Sequence, residues 1–571
     1  MLHGRRPAQD SSQKVLMQYY WRLDLHLMNQ LKRILTIAEV LIIVVIALIP
    51  LFPNLPYRLN SYLSWEGAYR MANGQIPFKD FGMPLGYMYW VIPAFFFKVF
   101  GAQMITLVKA QVLINILGGL CFRWMLKSLN VPAAISFAGI LVFCLTYSLP
   151  NYWPWYNNTV IFYELVALAF LIHFFTRKTT KWGFAWPALS GAFVFFSFFT
   201  KQDGGGLALL VCLALLIYDA VIEKRWTPVT VFIGGMLVTG LLMIVPLMNY
   251  GFGYWFNHGQ PPHSSRISIS DIVKEFLLQS QWLKFYIAII IILLFASIKN
   301  FTVFLKNKQM MLFTLLTLGI IAEAIVFQVT SYLPVDNNIF YHAFAIVYIL
   351  TLLTSFLPIN VNTWKTTIVV SACVLLWWSQ TYWKYIERFV IPSKQETYTS
   401  HTHAGYTYAD VVNRNTYMIE IDTTAVPLHE WRLSNLPTLK KVLLPGPTVD
   451  GIDRLMNSPL VKSDKKLKVL NMSELTTLAA EIPFDLETGK DYPLWFHKGV
   501  GMFDKETNMF ISRVKNNYYD LVLFEYVPYS NNIYPFSVRE ALMENYNRVD
   551  TFPVPRNPSS HAWIEIYVQK K

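Results

Sequence analysis

Apolar residues in this chain come in long unbroken runs, separated by charged or Pro/Gly-rich breaks, and not in the alternating patterns of half-buried elements. A run of ~20 such residues crosses the ~30 Å hydrocarbon core of a bilayer as a helix. Eleven runs fit, at about 34–53, 103–122, 132–149, 159–176, 183–200, 205–222, 229–249, 284–299, 310–331, 341–358 and 366–383. Segment 86–100, GYMYWVIPAFFFKVF, is apolar but short and broken by Pro93, which suits a partial or interfacial helix; as a full span it would change the count and the parity.

Beyond about residue 384 the pattern changes. KKLKVLNM (465–472), YYDLVLFEYV (518–527) and AWIEIYVQK (562–570) predict strands, while MSELTTLAAEI (472–482) and SVREALMENY (537–546) predict helices. The expected architecture is a polytopic α-helical membrane protein of about eleven transmembrane helices over 1–384, followed by an extracytoplasmic α/β domain over 385–571.

Composition agrees, because 54% of residues are hydrophobic and only 15% charged, against roughly 25% charged in a soluble domain. Those figures argue against a soluble globular protein and exclude a disordered chain, collagen-like repeats and a disulfide scaffold. The net charge of +13 suggests nucleic acid until it is divided by position: residues 1–384 carry +14 and residues 385–571 carry −1. The excess belongs to the membrane half, where it sets orientation, and no nucleic-acid partner is expected. Arg5, Arg6, Lys14, Arg22, Lys32 and Arg33 precede the first run, and alternate loops hold Arg123/Lys127, Arg177/Lys178/Lys181, Lys224/Arg225, Lys299/Lys306/Lys308 and Lys365. These segments are expected to be cytoplasmic, leaving 54–102, 150–158, 201–204, 250–283, 332–340 and the tail on the outer side. The first apolar run starts after 33 residues and is too long for a cleaved secretory signal. The four cysteines, Cys121, Cys144, Cys212 and Cys373, lie in or beside spans and imply packing, not a redox framework.

Candidate chemistry concentrates in the first outer loop, RLNSYLSWEGAYRMANGQIPFKDFGMPLGYMYW (58–90), which sets Glu66 and Asp80 among Tyr62, Trp65, Tyr69, Phe78, Phe81 and Tyr87. Such an aromatic loop lies at the bilayer interface, where a carboxylate can serve as general base or divalent-metal ligand for chemistry on a lipid-linked substrate. A second candidate is FFTKQDGGGLALL. Lys201, Gln202 and Asp203 precede three glycines at the start of a span, a constellation suited to phosphate and equally to a tight turn. Later outer loops supply His258, Gln260, His263 and Arg266, and then Tyr341 with His342; His401 and His403 have no evident third metal ligand. The intramembrane acids Glu39, Glu164 and Glu323 keep a transporter reading open.

SWEGAYRMANGQIPFKDFGMPLGYMYWVIPAFFFKVFG (64–101) resembles the first-loop region of bacterial GT-C superfamily glycosyltransferases, relatives of the protein O-mannosyltransferases and the lipid A aminoarabinose transferases. Glu66, Asn73-Gly74, Pro77-Phe78, Asp80-Phe81, Pro84 and Phe100-Gly101 fill the positions of that pattern, and TKQDGG (200–205) is similar to its Lys-Gln element. Where many relatives have an acidic pair, this chain has Trp65-Glu66.

The resemblance implies an enzyme of the bacterial inner membrane that moves a sugar from a polyprenyl-phosphate donor to a lipid, glycan or protein acceptor of the envelope on the outer face. It implies Glu66 as the first candidate base and Asp80 as the second, either of which could also hold a Mg or Mn ion. Lys201, Gln202, Arg70, His342 and Tyr341 are then expected around the donor phosphate, with Trp65, Asp203 and His258 toward the sugar or acceptor. The rival readings are a flippase for lipid-linked glycans and a non-catalytic scaffold.

Overall fold

The computed structural model describes residues 9–57, 61–177, 183–250, 255, 268–279, 281–298, 301–331, 340–356, 361, 363–389, 398–400, 403–406, 424–426, 430–463, 465–499, 502–557, 559 and 561–570. The membrane half consists of helices α1 (Gln9–Leu48), α2 (Ser61–Ala72), α3 (Met88–Phe100), α4 (Met104–Ser128), α5 (Ala133–Phe143), α6 (Tyr156–Thr176) and α7 (Ala185–Phe198). It continues with α8 (Gln202–Glu223), α9 (Thr227–Ile244), α10 (Gln281–Ser297), α11 (Lys308–Ser331), α12 (Tyr341–Phe356) and α13 (Trp364–Trp377).

Every expected span falls on a helix, but the helices differ in reach. Asn29–Leu51, Met104–Ser128, Tyr156–Thr176, Gln202–Glu223, Thr227–Leu247 and Lys308–Thr330 are long and apolar enough to cross a bilayer. The runs at α5, α7, α10, α12 and α13 form shorter helices, and so does α3, 13 residues long with Pro93 inside it. Leu242, Phe295 and Leu376 are each more than 70% exposed, which suits a surface that meets lipid and not water. Small residues let the helices approach closely. A Cβ on Gly191 of α7 would stand 2.0 Å from the Phe232 carbonyl oxygen, and one on Gly235 of α9 would stand 2.3 Å from that of Ala188. Glu39 is buried beside cations: Arg123 Nε lies 2.8 Å from its carboxylate, Lys127 Nζ 3.4 Å, and Ser136 Oγ donates at 2.8 Å.

The tail forms a four-stranded sheet from β4 (Val469–Met472), β5 (Leu521–Tyr526), β6 (Tyr546–Pro553) and β7 (Trp563–Gln569), in the order β4-β5-β7-β6. Val469 pairs with Leu521 in parallel, and β7 lies antiparallel to both of its neighbours. Strand β5 is buried on both faces, which accounts for its apolar run Leu521–Phe524. Val522 and Phe524 pack under α15 (Phe503–Lys515) and α16 (Phe536–Asn545), while Leu521 and Leu523 face the opposite core with Val449 and Ile452 of α14 (Gly446–Met456). Three expected strands and the helix SVREALMENY are present. MSELTTLAAEI, expected to be helical, is only a 3-10 turn over Thr476–Ala480. Its start is held elsewhere, since Glu474 N–H donates to Glu525 Oε2 at 2.8 Å and Thr476 Oγ1 donates to Tyr62 O at 3.3 Å.

The tail is joined to the loop that follows α1. Strand β1 (Leu55–Pro56) runs parallel to β3 (Val442–Pro445), which is antiparallel to β2 (Trp431–Leu433), so loop and tail share a small sheet. One apolar core contains Tyr57, Trp65, Phe78 and Phe81 from the loop with Leu439, Leu478 and Leu494 from the tail. A buried polar cluster lies at this seam: Arg556 pairs with Glu474, and Tyr57 OH donates to the Glu474 carbonyl oxygen. Burial beside Glu474 holds the Glu525 carboxyl well above the usual carboxylate range.

The alternation of basic and Lys/Arg-poor loops makes topology directly testable. Reporter fusions at residues 303 and 571 should report opposite faces of the membrane, the first cytoplasmic. The same face for both would overturn the orientation and the outer placement of the first loop together.

Candidate functional site

Helix α2 carries Glu66 with its side chain 16% exposed. Burial lifts the Glu66 carboxyl above its ordinary value, and Arg70 one turn later opposes that rise. Arg70 Nε and Nη2 both lie 3.0 Å from Glu66 Oε1. Gly67 follows because α2 lies directly on Trp90: a Cβ there would come 1.9 Å from the indole ring. Gly74, at φ 85°, ends the helix, its N–H donating to Met71 O at 3.0 Å.

The NGQIPFKDF element is largely scaffold. Ile76 N–H donates to Asp80 Oδ2 at 2.7 Å and Asp80 N–H returns a bond to Ile76 O at 2.9 Å, closing the turn. Phe78 sits inside that turn at φ 67°, uncommon for a bulky residue, and is fully buried. Asp80 thus acts locally as a turn closer. Trp65 is also fully buried, stacked on Tyr69 at 4.6 Å, and its Nε1 donates to Ala102 O at 3.2 Å, so its ring is committed to the core.

Arg70, only 1% exposed, is held on every side. Its Nη1 donates to Gln75 Oε1 at 2.9 Å and to Glu487 O at 2.8 Å, and the guanidinium carbon lies 5.6 Å from the Phe81 ring and 4.9 Å from the Tyr492 ring. Tail segment 487–494 is bonded along the loop as well. Gly489 N–H donates to Asp80 O at 2.8 Å, Gly82 N–H to Tyr492 O at 2.7 Å and Leu494 N–H to Gly82 O at 2.9 Å.

Lys201 immediately precedes α8. Its Nζ lies 3.3 Å from Asp203 Oδ2, 4.9 Å from the Phe327 ring centre and 5.5 Å from that of Tyr156. Gln202 ties this turn to the first loop, its Nε2 donating to Trp255 O at 2.8 Å and to Pro84 O at 3.4 Å. Gly86 explains the closeness, because a Cβ there would stand 1.7 Å from the Phe199 carbonyl oxygen. Tyr156 also meets Tyr89 at 5.8 Å and Trp495 of the tail at 6.2 Å. Loop, lysine turn and tail therefore meet at one place.

Other candidates are placed differently. His342 is buried with Nδ1 2.7 Å from Tyr286 OH, its ring among those of Tyr341, Trp378 and Trp282; neither Lys201 nor Glu66 is among these contacts. Tyr341 is buried beside it. His258, Gln260, His263, Arg266 and His401, like the side chain of His403, lie outside the described residues. Glu164 of α6 and Glu323 of α11 hydrogen-bond each other, a pairing that separate helices conceal from the sequence. Among the described residues no group of three or more His, Cys, Asp or Glu side chains could hold a metal ion. Arg70 engages Oε1 of Glu66 and the Ile76 N–H engages Oδ2 of Asp80.

No family model matches the sequence, and no curated protein matches it. In fold the chain is similar to ArnT from Cupriavidus metallidurans bound to undecaprenyl phosphate, with a TM-score of 0.46 and 12% identity, over 93% of this chain and 97% of that one. The apo state of the same protein gives a TM-score of 0.46 at 11% identity, again over 93% and 97% of the two chains. The Archaeoglobus fulgidus oligosaccharyltransferase in complex with Zn and sulfate is similar over 59% of this chain and 50% of that one, with a TM-score of 0.36 and 12% identity.

Proposed function

We propose that this protein is a GT-C-like membrane glycosyltransferase that moves a sugar from a polyprenyl-phosphate donor to a lipid, glycan or protein acceptor at the outer face. The observation that carries this reading is the convergence of the Glu66 loop with the Lys201 turn, joined through Gln202 and Pro84. The first-loop sequence pattern supports it independently. Glu66 is the base: it takes the proton of the acceptor hydroxyl while the acceptor oxygen bonds to the anomeric carbon. The bond from that carbon to the phosphate oxygen breaks, and the polyprenyl phosphate leaves with the electron pair. Lys201 supplies positive charge for the departing phosphate, a compact ammonium suited to that role. Attack opposite the leaving group inverts the anomeric centre. Asp203 holds Lys201, and Gln202 fixes the turn against the loop. Asp80 shapes the loop. Glu164 and Glu323 are 1% and 2% exposed and pair with each other, an arrangement that does not favour the flippase reading.

Membranes containing the protein should transfer label from a polyprenyl-phosphate-sugar pool to an acceptor fraction. Lys201→Ala should raise the donor KM and lower kcat together, since the phosphate contact exists in the ground state and strengthens in the transition state as charge builds on the departing phosphate. Absence of transfer across a panel of such donors, in membranes where the protein is folded, would overturn the reading.

A further inference from the structure

Arg70 makes contacts that a phosphate-binding residue would not need and that the transfer reaction does not explain. It is a fully buried cation on α2 whose hydrogen bonds reach in two directions, to the Glu66 carboxylate within its own helix and to the Glu487 carbonyl in the tail. Its planar fork suits this double task, because guanidinium donors diverge in fixed directions while an ammonium is a single point. The tail presses on it a second time through the Tyr492 ring, 4.9 Å from the guanidinium carbon. The backbone bonds from Gly489 and Leu494 to residues 80 and 82 fix the height of that ring over the loop. Glu487 itself is anchored within the tail, its carboxylate pairing with Arg513 and accepting from Tyr519 OH.

We infer that the C-terminal segment 487–494 is a positioning element of the first-loop site, acting through Arg70, so that Glu66 is held ready to accept a proton only while the tail is docked. This rests on the reading of Glu66 as the base. Without the clamp the Glu66 side chain gains rotamers, and a displacement of about 1 Å in a reacting group can cost on the order of 10²-fold in rate. The clamp also acts on charge. Burial raises the Glu66 carboxyl and Arg70 opposes that rise, so a loosened Arg70 leaves Glu66 protonated up to a higher pH. A protonated base is inactive. The acid limb of the pH-rate profile therefore moves to higher pH when the clamp fails.

The test uses the full chain in membranes. Tyr492→Leu removes the ring and leaves the Tyr492 backbone bond to Gly82 in place. The expected result is a fall in kcat of about 10-fold or more with an unchanged donor KM, an acid limb displaced upward, and recovery of most of the lost activity by Tyr492→Phe. Arg70→Lys, which keeps the charge but cannot span Glu66 and the Glu487 carbonyl, should show the same pattern and serves if Tyr492→Leu does not fold. Wild-type kcat and pH profile in either folded variant would overturn the inference. So would a loss of activity with the acid limb unmoved, which marks a structural role only. Glu66→Gln separates the two levels: if it inactivates while Tyr492→Leu does not, the base assignment stands and the positioning role falls.

Discussion

Glu66→Gln should lower the rate of sugar transfer by roughly 10²–10⁴-fold while the protein folds and binds donor as before. The amide keeps an oxygen where Glu66 Oε1 now accepts from Arg70 at 3.0 Å, and Arg70 retains Gln75, the Glu487 carbonyl and the Phe81 and Tyr492 rings. Only the ability to take a proton is lost. The wild-type rate should decline toward acid through a limb placed above the ordinary glutamate range, because burial outweighs Arg70 at this carboxyl. In the variant that limb should be absent. Asp80→Asn is the control: the Asn carbonyl oxygen can still accept from Ile76 N–H, so the turn closes and the rate changes little. A nearly normal rate for Glu66→Gln together with loss of transfer for Asp80→Asn would reverse the two roles.

The membrane half was legible in the sequence because a span is a one-dimensional signal. Each apolar run became a helix. The contacts of Arg70 were not legible. In sequence it is a basic residue of an outer loop, hence a phosphate candidate, whereas its partners at Glu487 and Tyr492 lie more than 400 positions away and are fixed only by docking of the tail. Trp65 was misleading for a related reason. The resemblance sets it toward the sugar or acceptor, but helical spacing turns its ring into the core. Strand β1, two residues long, exists only because β3 offers it hydrogen bonds, and no periodicity can announce such a strand. Helix α15 did leave a signal, since Phe503, Thr507, Phe510 and Val514 recur at helical spacing and all are buried, but its many polar residues hid it beside longer apolar runs. For Arg70 and β1 the missing information was tertiary, and it sat at the seam between loop and tail.

The same burial that tunes Glu66 leaves a larger mark on Glu506, in the first turn of α15. Its side chain is 2% exposed, and neither carboxylate oxygen has a hydrogen-bond partner. Burial pushes the carboxyl up from 4.5 to about 8. The positive end of the helix works against this, but a helix terminus contributes only about 0.3–1 kcal/mol, too little to keep an unsolvated carboxylate ionised. The sign of the stability effect follows. Between about pH 4.5 and 8 the folded state holds a proton at Glu506 that the unfolded state has released, so stability is greatest at the acid end of this window and falls as pH rises through it. The full loss, reached above about pH 8, is of the order of 5 kcal/mol if the whole difference is realised. Glu506→Gln removes the ionisation. Its buried amide brings a penalty of its own, but one that does not depend on pH. Thermal unfolding of the full chain in detergent should therefore show the wild-type Tm falling from pH 5 to pH 9 more steeply than that of the variant, the difference growing toward alkaline pH and levelling off beyond about pH 8. Tm curves that stay parallel over this range would mean that Glu506 ionises normally in the folded protein, and that α15 does not seal it from water.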